Sequence, residues 1–274
     1  VSGWVTRRFG GRDVEMRVHH GAAPAVLLMS GAGQPGEYWR PVVEQLGERL
    51  VVSYDRPGMG ATPWPGRLPG LAEEVATATA MADELGPLVL VAHSMAAFHA
   101  EALAREHPGA VRGLVLVDPS VEWPARSPSQ PGTGRARAVA RVSGYGLSGL
   151  GRAGAVVATL TQTSWSLPRI RRYLSVERLR QIFGQPDSLA MVTAELMAYE
   201  RQAWDLMEVR ERYAWPGTPA IVLSAERSGA EQENGRQERL ARLLGAQLWP
   251  VPRSRHLMML DDPATIARAV RRIG

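Results

Sequence analysis

The sequence predicts an α/β fold: a mostly parallel central sheet with helices on both faces, plus a helical insertion. Two observations carry this. Short, continuous runs of apolar and β-branched residues recur along the chain, the pattern of parallel strands covered on both faces. Between them lie longer segments with apolar residues at helical spacing, and that alternation builds a sheet sandwiched by helices. The 274 residues suffice for one such domain with an insertion, and 45% hydrophobic with 22% charged residues fits a soluble globular protein.

In chain order, strands are expected at residues 14–19, 25–30, 50–54, 88–91, 113–117, 220–225 and 247–251. Helices are expected at residues 36–46, 71–85, 95–106, 231–244 and 263–273, the last opened by Pro263, whose fixed φ suits a first helical position. Residues 1–120 and 216–274 then form the core, and residues 121–215 the insertion. The insertion starts as a loop, with Pro124, Pro128, Pro131, Gly132 and Gly134, and amphipathic helices follow at residues 175–183 and 188–212. Trp165, Trp204, Met191, Met197, Met207 and Tyr199 either line an apolar pocket there or bury the insertion against the core.

In open α/β sheets the active site lies at the carboxyl ends of the strands, so the residues just after each apolar run decide the chemistry. The most informative is Ser94, in Val91-Ala92-His93-Ser94-Met95-Ala96. A strand, one serine and a helix in immediate succession place the serine at the apex of a sharp, strained turn. Such a turn requires small residues two positions before and two after, here Ala92 and Ala96.

Ser94 resembles the nucleophile of the α/β-hydrolase family, with alanine at both glycine positions of the usual G-x-S-x-G. Ser30-Gly31-Ala32-Gly33 resembles that family's H-G-x-G loop, with Ser30 in place of the histidine. The resemblance implies an oxyanion hole built from the Ala32 and Met95 backbone N–H groups. Asp55-Arg56-Pro57-Gly58-Met59-Gly60 matches a family turn, where Asp55 is expected to be structural. His256, followed by Asp261 and Pro263, resembles the family's H-x-x-x-x-D-x-P histidine loop and implies the general base. His93 is expected to pack or hydrogen-bond beside the nucleophile, and His19, His20, His99 and His107 to sit on the surface or on helix faces. For the acid, chain order admits two positions. Asp118 follows the strand at 113–117 and is the assignment; Glu226, after the strand at 220–225, is the alternative.

The resemblance thus implies a serine hydrolase with catalytic Ser94, Asp118 and His256, cleaving an ester, lactone or thioester of a small, partly apolar molecule through an acyl-enzyme. The same fold also serves C–C hydrolysis, cyclisation of a biosynthetic intermediate, or ligand binding without catalysis, and these stand as alternatives. No cofactor and no metal is expected. The chain has no cysteine, which excludes disulfides and thiolate metal sites. It has no lysine either, so all 32 basic residues are arginine, a bias expected of a high-GC bacterial genome. Residues 121–185 hold ten arginines against two acids, Glu122 and Glu177. This stretch, which includes Arg169, Arg171 and Arg172, either is a solvated basic face or receives an anionic carrier or surface. Nucleic-acid binding is not expected without a recognition motif. No run approaches a membrane span and no leader opens the chain, so a cytoplasmic location is expected.

Overall fold

A computed structural model describes residues 3–124, 127–128, 133–148, 173–226 and 231–274. Eight strands form one sheet: β1 (Val5–Phe9), β2 (Arg12–His19), β3 (Ala22–Met29), β4 (Arg49–Asp55), β5 (Leu88–His93), β6 (Val111–Val117), β7 (Ala220–Ala225) and β8 (Gln247–Val251). They lie in the order β1-β2-β4-β3-β5-β6-β7-β8. The β1–β2 and β2–β4 pairs are antiparallel, and every pair from β4 to β8 is parallel. The chain runs outward from β3 to β4 and then returns to place β5 on the other side of β3. That reversal opens a crevice between the carboxyl ends of β3 and β5, the usual ligand position in open α/β sheets.

The described helices are α1 (Arg40–Leu46), α2 (Leu71–Leu85), α3 (Ala96–Glu106), α4 (Thr133–Ser148), α5 (Val176–Phe183), α6 (Pro186–Arg212), α7 (Glu231–Leu244), α8 (Met258–Asp261) and α9 (Pro263–Ile273). Alternation of side chains along the strands explains the two layers. Leu27, Leu90, Leu116 and Val222 face one core with Val75 and Met81 of α2, Phe98 and Leu103 of α3 and Leu240 of α7. Val26, Leu28, Val91, Val115 and Ile221 face the other, with Val42 of α1, Met259 of α8 and Ile266 and Val270 of α9. Both faces are buried, so these strands read as continuous apolar runs. Each such Val or Leu stabilises the fold by roughly 1.5–3 kcal/mol.

Within the insertion, α6 is the spine. Ala203, Leu206 and Val209 of its carboxyl-terminal half join the first core. Ala190, Met191 and Ala194 of its amino-terminal half pack with Trp64 and with Ala140 of α4. Glu101 of α3, buried, ties α6 down: Arg210 donates to both its carboxylate oxygens at 2.8 and 2.7 Å, and Arg105 donates to one of them at 2.9 Å.

Some elements differ from the sequence expectation, including the single-turn α8, which was not expected. β1 was not expected, because it is an edge strand exposed at four of its five positions. α4 spans Gly134, where a loop was expected; Ala136 and Ala140, buried among the side chains described there, are too small to mark a helical stripe.

Candidate active site

Ser94 follows β5 directly and precedes α3 by one residue. Its φ of +53° is the left-handed region that non-glycine residues rarely enter. Ala92 and Ala96, two positions to either side, are fully buried, in keeping with the small residues that such a turn requires. The strain is held by its surroundings: the Ser94 N–H donates to the Val117 carbonyl at 3.2 Å, and its carbonyl accepts from Ser120 and Ala97 at 3.1 Å each.

The structure brings Ser94, His256 and Asp118 together. His256 Nε2 lies 3.2 Å from Ser94 Oγ, and His256 Nδ1 lies 2.7 Å from Asp118 Oδ2. A carboxylate only accepts, so Nδ1 carries a proton and the Nε2 lone pair faces the serine hydroxyl. Asp118 also has a left-handed φ, +42°. Its other oxygen accepts from the Ala225 N–H at 3.1 Å and from Gln237 Nε2 at 3.0 Å. Burial works to raise its pKa, but the hydrogen bond and charge of His256, with the Gln237 and Ala225 donors, outweigh it and hold Asp118 below the ordinary carboxylate value. Glu226 is exposed at the end of β7, and it is Asp118 that meets the imidazole.

His93 is buried beside this group, with its ring centroid 4.5 Å from that of His256. Its Nε2 lies 2.7 Å from the His256 carbonyl, and its Nδ1 lies 2.8 Å from the Gln34 side-chain amide. A carbonyl only accepts, so Nε2 is the protonated nitrogen. Burial first, and then the charge of His256, push the His93 pKa down to about 3, which leaves the ring neutral. Nδ1 is therefore an acceptor, and since the Gln34 atom facing it is placed as Oε1, the hydrogen bond calls for the flipped amide, with Nε2 in that position.

The carboxyl end of β3 supplies the loop Ser30–Gly33. A Cβ on Gly31 would lie 2.9 Å from His93 Nδ1 and 3.0 Å from Ser94 Cβ, so this backbone approaches the serine closely only as glycine. Among the described residues the Ala32 and Met95 amides have no hydrogen-bond partner in the chain. Ser30, in place of the family histidine, accepts from the indole N–H of Trp39 at 3.1 Å. Asp55 plays a structural part: it accepts from the Gly36 N–H at 2.6 Å, and burial pushes its pKa up to about 7.

Sequence reasoning missed Gln34, Gln237 and the buried pair of Arg56 with Glu195 of α6: Arg56 stands in the Asp55–Gly60 turn, but nothing there marks its partner, and the other three stand in no motif. It also placed His99 with surface or helix-face residues. His99 lies on the buried face of α3, hydrogen-bonded through Nε2 to Gln202 Oε1 of α6 at 2.6 Å. Of the aromatic and methionine side chains in the insertion, Met191 packs with Trp64 and Tyr199 meets the Phe98 ring at 5.5 Å. Trp165, Arg169, Arg171 and Arg172 lie outside the described residues. Among the described residues no group of three or more His, Cys, Asp or Glu is placed to hold a metal ion, and no helix is long and apolar enough to cross a membrane.

The model of the alpha/beta hydrolase family matches residues 26–269, nearly the whole chain. This protein belongs to the alpha/beta hydrolase family. Among named relatives, the chain is 32% identical over 113 residues to "Putative carbamate hydrolase RutD" of Yersinia enterocolitica, a match covering 38% of this chain and 37% of that protein. The match thus spans well under half of that relative's length. Solved structures share the fold over nearly the full length. An alpha/beta hydrolase fold protein from Burkholderia ambifaria is 24% identical, with a TM-score of 0.71 and coverage of 97% of this chain and 96% of that one. A thermophilic esterase from Thermogutta terrifontis is 21% identical, with a TM-score of 0.67 and coverage of 99% and 97%.

Proposed function

We propose that this hydrolase-family chain is a serine hydrolase that cleaves an ester, lactone or thioester of a small, partly apolar molecule. The observation that carries the reading is the unbroken relay from Asp118 through His256 to Ser94, at 2.7 and 3.2 Å. His256 Nε2 takes the Ser94 proton as Oγ attacks the acyl carbonyl. The carbonyl oxygen becomes an oxyanion, met by the Ala32 and Met95 N–H groups. Asp118 holds the imidazole in the required tautomer and balances the imidazolium that forms. The tetrahedral intermediate collapses to an acyl-enzyme as His256 returns the proton to the leaving group. Water, deprotonated by the same imidazole, releases the acid and restores Ser94. These steps draw on side chains and backbone amides alone.

Residues 121–215 are assigned the role of a cap over this site, with α6 as its anchored element. The names of a carbamate hydrolase and an esterase among the similar proteins both fit attack on an acyl-type carbonyl. The test is intact-protein mass after exposure to a fluorophosphonate, with the adduct mapped by peptide sequencing. A single adduct on Ser94, lost in His256→Ala, is expected. No adduct under conditions that label a control hydrolase would overturn the reading in favour of other chemistry or ligand binding.

A further inference from the structure

The loop that carries the Ala32 amide is gripped by one buried ion pair. Arg56, just past β4, sends three donors in three directions. Nη1 donates to the Ser30 carbonyl and Nη2 to the Gly31 carbonyl, each at 2.7 Å, and Nε donates to Glu195 Oε1. The other Glu195 oxygen accepts from the Gly33 N–H. Both side chains are buried, at 5% and 1% exposure, so neither exchanges these bonds for water.

Because each peptide is planar, these hydrogen bonds fix an orientation. The Gly31 carbonyl and the Ala32 N–H belong to one planar trans peptide, so they point in opposite directions. A guanidinium fixed on the Gly31 oxygen therefore aims the Ala32 N–H away from Arg56. The flanking planes are fixed in the same way, one by Arg56 on the Ser30 oxygen and one by Glu195 on the Gly33 N–H. Three consecutive peptides are set by two side chains. Neither partner does this alone. An unpaired carboxylate at this loop would oppose a negative charge forming on the substrate, and an unpaired guanidinium would be desolvated without a counter-charge. Only Arg offers the planar fork that spans two carbonyls and a carboxylate together.

We infer that Arg56 and Glu195 are positioning residues for the oxyanion donor Ala32, and that the insertion contributes to catalysis by supplying Glu195 from α6. The inference rests on the acyl-transfer reading above. It makes the insertion part of the catalytic frame as well as a cover, because the loop is complete only with α6 docked.

The test compares the wild type with Glu195→Gln and Arg56→Lys by two measurements. The first is steady-state hydrolysis of p-nitrophenyl butyrate, the probe ester. In Glu195→Gln one amide oxygen serves two donors, and in Arg56→Lys one ammonium replaces a fork. Each is expected to lower kcat by about 10- to 100-fold with KM held, part of the about 10²–10³-fold that losing a whole oxyanion donor brings. The second measurement is amide hydrogen exchange of the peptide spanning residues 28–36, which is expected to quicken in both variants while β5 stays protected. The double variant Arg56→Met/Glu195→Leu removes the charges together, keeps the packing volume, and covers the case in which a single variant does not fold. Wild-type kcat, or unchanged exchange at residues 28–36, in folded variants would overturn the inference. A wild type that neither hydrolyses the ester nor takes the fluorophosphonate would overturn the acyl-transfer reading instead, and the exchange measurement would still judge the clamp.

Discussion

Replacing Asp118 with Asn is the sharpest perturbation of the proposed relay, because its outcome is fixed by the hydrogen bonds around it. Asp118 accepts from three donors: Ala225 N and Gln237 Nε2 on one oxygen, His256 Nδ1 on the other. An Asn has one acceptor oxygen, and the side with two N–H donors claims it. Its NH₂ then faces His256 Nδ1, which must give up its proton, so Nε2 carries the proton and cannot accept one from Ser94. The lost charge adds to this. A carboxylate and an imidazolium about 4 Å apart attract by about 4 kcal/mol at an effective dielectric near 20. That is about three decades of rate at about 1.4 kcal/mol per decade. With the wrong tautomer included, kcat/KM for a p-nitrophenyl ester is expected to fall about 10³- to 10⁴-fold, with an unchanged thermal melt as the folding control. Glu226→Gln, at an exposed position, is expected to leave kcat/KM unchanged. The reasoning is refuted if Asp118→Asn keeps more than about a tenth of wild-type kcat/KM, or if Glu226→Gln is the variant that fails.

Gly31→Ala places a methyl 2.9 Å from His93 Nδ1 and 3.0 Å from Ser94 Cβ, so His93, the serine or the loop itself must give way, and the spacing of loop and serine changes. Fluorophosphonate labelling is expected to slow about 10²-fold, the scale of a 1 Å misplacement, and labelling at the wild-type rate would contradict this. Glu101→Ala strands the Arg105 and Arg210 guanidiniums between α3 and α6. Urea unfolding is expected to show a loss of about 3–5 kcal/mol; a loss under about 1 would mean that water already serves these groups. Asp55 has a folded pKa raised from 3.8 to about 7, so the fold prefers its protonated form. The stability this form contributes is full below the unfolded value and is lost as pH rises through about 7. Asp55→Asn stays neutral and can still accept from Gly36. Its melting temperature relative to wild type is expected to climb between pH 5 and pH 8, by roughly 1 kcal/mol of stability per pH unit up to the folded pKa. A pH-independent difference would place the carboxylate in a better-solvated site.

The central sheet was readable because β3, β5, β6 and β7 are covered on both faces and consist almost wholly of apolar residues. β1 was not, since Val5, Thr6, Arg7 and Arg8 meet solvent and only Phe9 reaches the core. Ser94 and Asp118 stand out because each directly follows a strand, and His256 because it lies in the loop between β8 and the last helices, in the chain order the family resemblance implies. The loop clamp could not. Arg56 and Glu195 are 139 residues apart, and Glu195 on α6 looks like any polar residue of an amphipathic helix until the helix is docked. Gln237 is hidden for the same reason, 119 residues from the carboxylate it steadies. His99 misled because a helical pattern counts the face turned to the sheet. α3 is buried on a second side by α6, which supplies Gln202.

The bond between the His93 ring and the His256 carbonyl joins residues 163 positions apart, from β5 to the loop after β8. Closing so long a stretch of chain forfeits more freedom than any neighbouring contact, and it becomes favourable only when the intervening strands and helices are already in place. Ring, carbonyl, serine and carboxylate come into register together at the end of that sequence of events. Regained activity in a refolding experiment is thus a clock for the docking of the last strand, whereas helical signal, which arises locally, runs ahead of it.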